Sequence, residues 1–237
     1  MIRLRRAAVL LAVAAALLVV SQLVLPRTVE TRIEKELQSA LPGARFVRAS
    51  VEASPGLKLL AGRIDEVDLD LRRVPLGDLV VDALLVDGRG LIVDVPRLVQ
   101  GRGVEIKEAE ELRATLVIAE ADLNEYFWSQ VHEARFFRVS LDKGRALLTG
   151  EVNLLGRSLE VYVSGVFRVE GPASVAFIPE EVSLQNARLP EALLDLITQE
   201  WAVVLDIGKT PFDLALDELH IEDGQLLIYA SRPPEVS

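Results

Sequence analysis

From residue 44 onward, apolar and polar positions alternate along the chain. Val67, Leu69 and Leu71 alternate with Asp68 and Asp70; Leu112, Ala114, Leu116 and Ile118 share one face; Ala146, Leu148, Gly150, Val152 and Leu154 share another. The longest run sets Leu159, Val161, Val163, Gly165, Phe167 and Val169 against Ser158, Glu160, Tyr162, Ser164, Val166 and Arg168. Successive strand residues point to opposite faces, so long runs with one apolar face predict an antiparallel sheet covered on one side. Asp87-Gly88, Lys143-Gly144, Gly171-Pro172 and Asp223-Gly224 supply turn signals, the last between 219–221 and 226–228 as in a hairpin.

Two stretches replace this alternation with helical spacing. Residues 120–134 place Leu123, Phe127 and Val131 on one face, with Tyr126 and Trp128 beside it. Residues 190–204 open with a proline suited to a first helical turn and show Leu193, Ile197, Trp201 and Val204, joined by Leu194, Leu196, Ala202 and Val203. Asp195, Thr198, Gln199 and Glu200 leave this second helix only a narrow polar strip, which predicts that sheet nearly surrounds it. "TLVIAEADLNEYF" and "SLQNARLPEALLDLI" each run from a strand into a helix, suggesting one strand-helix-strands unit used twice. No Pro/Ser-rich linker interrupts residues 44–232, which read as one domain followed by a short tail, 233–237.

Ahead of this domain the pattern changes again. Arg3, Arg5 and Arg6 precede an uncharged run of 19 residues, 7–25, ending at Pro26. As a helix the run spans roughly 28 Å, close to the hydrocarbon thickness of a bilayer. It exceeds the apolar region of a signal peptide, and its A-x-A triplets lie inside the run, so an uncleaved anchor is favoured, with secretion after cleavage as the alternative. Arginines before the run and mixed charge after it place the N-terminus in the cytoplasm and the remainder outside a single-pass cell-membrane anchor. Val29, Ile33, Leu37 and Leu41 then mark an amphipathic juxtamembrane helix within 27–43, ended by Pro42-Gly43. Its stripe either docks on the domain or lies in the membrane interface.

Charge narrows the function. With the three N-terminal arginines set aside, 23 of the 26 basic residues stand against all 36 acidic ones, a net −13. Such a field repels nucleic acid and anionic membrane surfaces, and no basic cluster with interleaved aromatics opposes it. The absence of cysteine excludes disulfides and thiolate chemistry. Only His132 and His220 are present, too few for a zinc site, and Gly156-Arg157-Ser158-Leu159-Glu160 lacks the closing glycine of a nucleophile elbow. Asp65, Glu66, Asp68 and Asp70 alternate with apolar residues as a solvated strand face does. Gly208-Lys209-Thr210 resembles the end of a P-loop, but Val203 occupies the first glycine position and Pro211 follows. That stretch reads as the corner by which the chain leaves the second helix. Phe212, Leu214 and Leu216 then start a strand whose phase shifts near Asp217-Glu218, the sign of a bulge. Neither an enzyme, a nucleotide site nor a cofactor is indicated.

What remains is apolar surface on long strands and an almost wholly apolar helix beside a membrane. A 16-carbon acyl chain withdrawn from water represents on the order of 12 kcal/mol, so a lipid carried outside a bilayer needs an apolar enclosure. Leu123, Phe127, Leu193, Ile197, Trp201 and Phe212 are the candidates to line one, though each also fits a plain core. The ordered motifs "GRIDEVDLDL", "ATLVIAEADLNEYF", "GEVNLLG", "PEEVSLQNARLPEALLDLI" and "LDIGKTPFDLALDELHIEDGQLLIYA" resemble the LmeA-like phospholipid-binding family over residues 44–231. The resemblance implies a cell-envelope protein that binds phospholipid, with a fold similar to tubular lipid-binding domains; it carries over no ligand residue. The expected architecture is α+β, a long curved antiparallel sheet wrapped around two or three helices after a transmembrane helix. The expected function is extracytoplasmic phospholipid binding, with transfer or presentation of lipid. The alternative is a non-catalytic scaffolding module with a closed core.

Overall fold

A computed structural model describes residues 21–22, 24–130, 137–154, 157–184, 187–188, 204–206, 212 and 214–233. The fold is α+β, but the described strands form two antiparallel sheets in place of the single long sheet expected. One has seven strands: β1 (Phe46–Glu52), β2 (Arg63–Leu76), β3 (Leu79–Val93), β5 (Glu111–Ala119), β13 (Gln225–Ser231) and β12 (Ala215–Glu222) in spatial order, with β4 (Ile106–Glu108) also on β3. The other is a meander of β6 (Phe137–Asp142), β7 (Arg145–Leu154), β8 (Arg157–Val169) and β9 (Ser174–Leu184), to which two short segments, β10 (Ala187–Arg188) and β11 (Val204–Asp206), add on β9. The chain divides into two compact units: the described residues up to Leu71 with Leu85–Leu112, and Arg72–Leu84 with those from Arg113 on.

In the first unit the alternation does what its spacing requires. Val67, Leu69 and Leu71 are buried while Asp68 is exposed. Asp87-Gly88, which reads as a turn, lies inside β3. A Cβ at Gly88 would meet Val67, Leu91 and Leu112 side chains at 2.9–3.1 Å, so the glycine answers to close packing rather than to chain reversal. Helix α1, residues 24–40, buries Ile33 and Leu37, with Leu41 buried just beyond it. The amphipathic stripe therefore docks on protein. Residues 21–22 are helical as well, so helical structure is present ahead of the expected start at 27 and on both sides of Pro26.

α1 seals an open edge. β1 ends the path of its sheet, and its outward backbone groups would otherwise face solvent or a foreign strand. Val51 N–H donates to Glu30 Oε1 and Ala49 N–H to Glu34 Oε1, both at 3.0 Å. Gln22 continues the series, receiving Gly56 N–H at 2.6 Å and donating to Ala53 O at 3.3 Å. Four helical residues rise about 6 Å and two strand residues about 6.7 Å, so side chains at i and i+4 of the helix can follow backbone groups at j and j−2 of the strand.

The second unit repeats this device. After the short helix α2 (Val95–Val99), helix α3 (Glu120–Gln130) follows β5, and β6 follows it as the end strand of the second sheet. Leu141 N–H donates to Glu120 Oε2 (2.8 Å), Asn124 bonds both N–H and C=O of Val139 (2.8 Å each), and Trp128 Nε1–H donates to Phe137 O (2.7 Å). The free side of β6 is thereby occupied, which explains why the meander ends there and the alternating strands do not merge into one sheet. β12 and β13 form the expected hairpin, with Leu219 opposite Ile228 and Ile221 opposite Leu226, and the register shifts between Leu216 and Glu218 as the phase change predicted.

Candidate functional site

The apolar site of the second unit grows out of the α3–β6 clamp. Helical spacing turns Leu123 and Phe127 of α3 inward while Glu120, Asn124 and Trp128 hold β6, and both inward side chains are buried. Opposite them, the period of two brings up Val139 from β6, Ala146 and Leu148 from β7, Phe167 from β8 and Phe177 from β9. Leu148 pairs with Val163 across β7–β8 and Phe167 with Phe177 across β8–β9, so the lining sits on four consecutive strands. These seven side chains line a cavity of about 30 Å³, taken as the space open to the centre of a water molecule. One water needs roughly 10–15 Å³ by that measure, and a cavity without polar partners stays dry.

Gly165 gives the cavity its aromatic wall. The β8–β9 register shifts between Ser164 and Gly165, and a Cβ at Gly165 would stand 2.2 Å from Ile178 O and 2.8 Å from the Phe177 ring. Glycine thus lets Phe177 lie over the strand, where its ring meets Phe167 at 5.4 Å between centroids and a 56° tilt. Such a tilted pair is a favourable arrangement of two quadrupoles.

Polar groups hold the site from outside. Asp122, in the first turn of α3, is buried, with its carboxylate 2.5 Å from Arg73 Nη1. Its negative charge complements the positive end of the helix. The hydrogen bond to Asp122, then the Coulombic pull of Asp122, Asp82 and Glu125, raises the Arg73 pKa against the opposing effect of burial. Arg73 takes a left-handed backbone, φ 55°, within β2, a conformation uncommon for residues other than glycine. None of these groups lies in the cavity wall, and among the described residues no cluster of His, Cys, Asp or Glu could hold a metal ion.

The structure brings together two of the six sequence candidates, Leu123 and Phe127. Phe212 is buried but does not line the cavity. Leu193, Ile197 and Trp201 lie outside the described residues, as do Gly208-Lys209-Thr210 and helix 190–204 except for Val204, which starts β11 opposite Ala176. Five lining residues are not among the sequence candidates: Val139, Ala146, Leu148, Phe167 and Phe177. Alternation marks Ala146, Leu148 and Phe167 as one-faced strand residues, but only the register shows that this face meets α3.

An all-apolar chamber between a helix and a meander is chemistry for a hydrocarbon. The profile of the LmeA-like phospholipid-binding family matches residues 20–231. The chain belongs to that family. The LmeA-like family is one of phospholipid-binding proteins and not a known family of enzymes. The match begins before α1, so it takes in the helix that seals β1 as well as the chamber. No curated protein and no solved structure matches the chain. Among the described residues no helix is long and apolar enough to cross a membrane, and most of the 7–25 run lies outside them.

Proposed function

We propose that the chain is an extracytoplasmic phospholipid-binding protein, held at the cell membrane by residues 7–25 with its N-terminus in the cytoplasm, and that the chamber behind α3 receives an acyl chain. The observation that carries this reading is the wall itself: Leu, Phe, Val and Ala side chains from one helix and four strands, without a polar side chain among them, in a member of a phospholipid-binding family. At about 30 Å³ the chamber has room for only about two or three water molecules. Entry of a chain therefore requires α3 to part from the meander, with Phe127 and Phe177 as the side chains that yield. Lipid transfer or presentation follows if opening is reversible.

The small volume also favours a second reading, a scaffolding module whose core stays closed. Photolabelling separates the two. The chain from residue 20, which keeps α1, would be exposed to vesicles of a phospholipid carrying a diazirine at its acyl terminus, irradiated and digested. Crosslinks to α3 and to β7–β9 support the lipid reading; labelling absent, or scattered over surface residues, supports the closed core.

A further inference from the structure

We propose that Leu57 and Leu60 form a membrane-contact patch, which lies in the interfacial layer of the bilayer entered by residues 7–25. The proposal rests on the anchoring reading above and adds to it a second attachment. Both leucines belong to the 3-10 helix Gly56–Ala61, where residues i and i+3 eclipse, so they stand on one side of the turn. Leu57 is 45% and Leu60 63% exposed, whereas Leu59 between them is buried. Two neighbouring leucines held outward by a rigid turn are a larger apolar display than single scattered ones.

The turn is fixed against the end of the apolar run. Gln22, three positions before that run ends at Leu25, receives Gly56 N–H at 2.6 Å. A Cβ at Gly56 would meet Ser21 O at 2.8 Å and Gln22 Cα at 3.1 Å, so only glycine allows this approach. On its other side, Asp65 accepts from Ser54 N–H (2.7 Å) and from Lys58 Nζ (2.9 Å). If residues 7–25 fill the hydrocarbon layer, Gln22 lies at its boundary, and Leu57 and Leu60 lie level with it. α1 presents Val24, 53% exposed, with Arg27, Arg32 and Lys35 along its outer groove. Cationic side chains next to apolar ones suit the headgroup region, where stems bury and charges reach phosphate. The partner this face fits is thus a phospholipid surface.

Because the chain has no cysteine, single-site labelling is clean. Full-length chain carrying Leu60→Cys, Ala14→Cys or Leu147→Cys would be labelled with an environment-sensitive fluorophore. Each would be reconstituted in vesicles of phosphatidylcholine and phosphatidylglycerol containing lipids spin-labelled at the headgroup or deep in the chain. The expected result is a blue-shifted Leu60 label quenched by headgroup spin labels, an Ala14 label quenched by deep ones, and a Leu147 label, on an exposed leucine of the second unit, that stays aqueous. A deep Ala14 label with an aqueous Leu60 label overturns the patch and leaves the anchor standing. An unquenched Ala14 label with a quenched Leu60 label overturns the anchor and supports the patch. Equal quenching at Leu60 and Leu147 shows that the fluorophore itself seeks lipid and overturns the proposal.

Discussion

α1 on β1 and α3 on β6 are two solutions to one problem, the exposed edge of a sheet, and they differ in what they bond and what lies behind them. On β1 itself the bonds come from the part-buried Glu30 and Glu34, which accept N–H groups only, while the Gln22 amide serves the chain just beyond the strand. On β6 they come from Glu120, Asn124 and Trp128, which serve donors and acceptors of the strand, with Asn124 itself buried. Carboxylates suffice where water can solvate what they leave unbonded. Where the edge is buried, at Val139, one amide serves both its N–H and its C=O, because an unpaired buried C=O or N–H is costly. The difference teaches where a ligand can be admitted. α1 seals a sheet edge, whereas α3 also walls a chamber, and its polar stitches come from residues outside the apolar wall, so they can act as a hinge line.

The contrast can be broken most forcefully at Asn124. Asn124→Leu leaves both Val139 groups unpaired in the interior and is expected to destabilise the protein by about 3 kcal/mol in urea denaturation. Arg73→Met strands the buried Asp122 carboxylate at the start of α3. About 2 kcal/mol is expected, below the range for a fully buried pair because Arg73 is a third exposed. In α1, Glu30→Ala with Glu34→Ala should cost only about 1 kcal/mol, since water can reach the freed edge. Instead, faster hydrogen exchange is expected at Ala49 and Val51. A loss in α1 equal to that at Asn124 would refute the distinction between the two clamps.

Acid sharpens the comparison with the smallest effect. The Ser54 N–H, then Lys58, lowers the Asp65 pKa below its ordinary 3.8. The stabilisation from Asp65 is therefore present above pH 3.8 and lost as pH falls through the lower folded-state value. Below that point the amide of Ser54 should exchange faster while Val139, held by an amide that does not titrate in this range, keeps its protection.

Much of this was legible in the sequence, and what was not has a physical cause. Alternation placed β2, β5, β7, β8 and the β12–β13 hairpin, because a one-residue slip would turn each apolar set to solvent. It also exposed the bulge near Glu218. Gly88 misled because glycine signals both a turn and a close approach, and the neighbours that decide are Val67 and Leu112, distant in sequence. The division into two sheets was hidden because it depends on side chains that read as surface charge or plain helix polarity: Glu120 and Asn124 acquire their role only when β6 lies beside them. For the same reason helical spacing found the half of the chamber on α3, and the half on the meander required strand register.

The central claim is that the chamber takes an acyl chain, and Ala146 offers the direct test. Ala146 is buried in the wall, and Ala146→Leu fills the space a chain would need. The chain from residue 20 and its Ala146→Leu form, both shown by thermal unfolding to be folded, would be incubated with phospholipid vesicles, separated and weighed by native mass spectrometry. The expected result is one phospholipid per wild-type chain and loss of most of that occupancy in Ala146→Leu. Equal lipid on both forms, or none on the wild type, would contradict it.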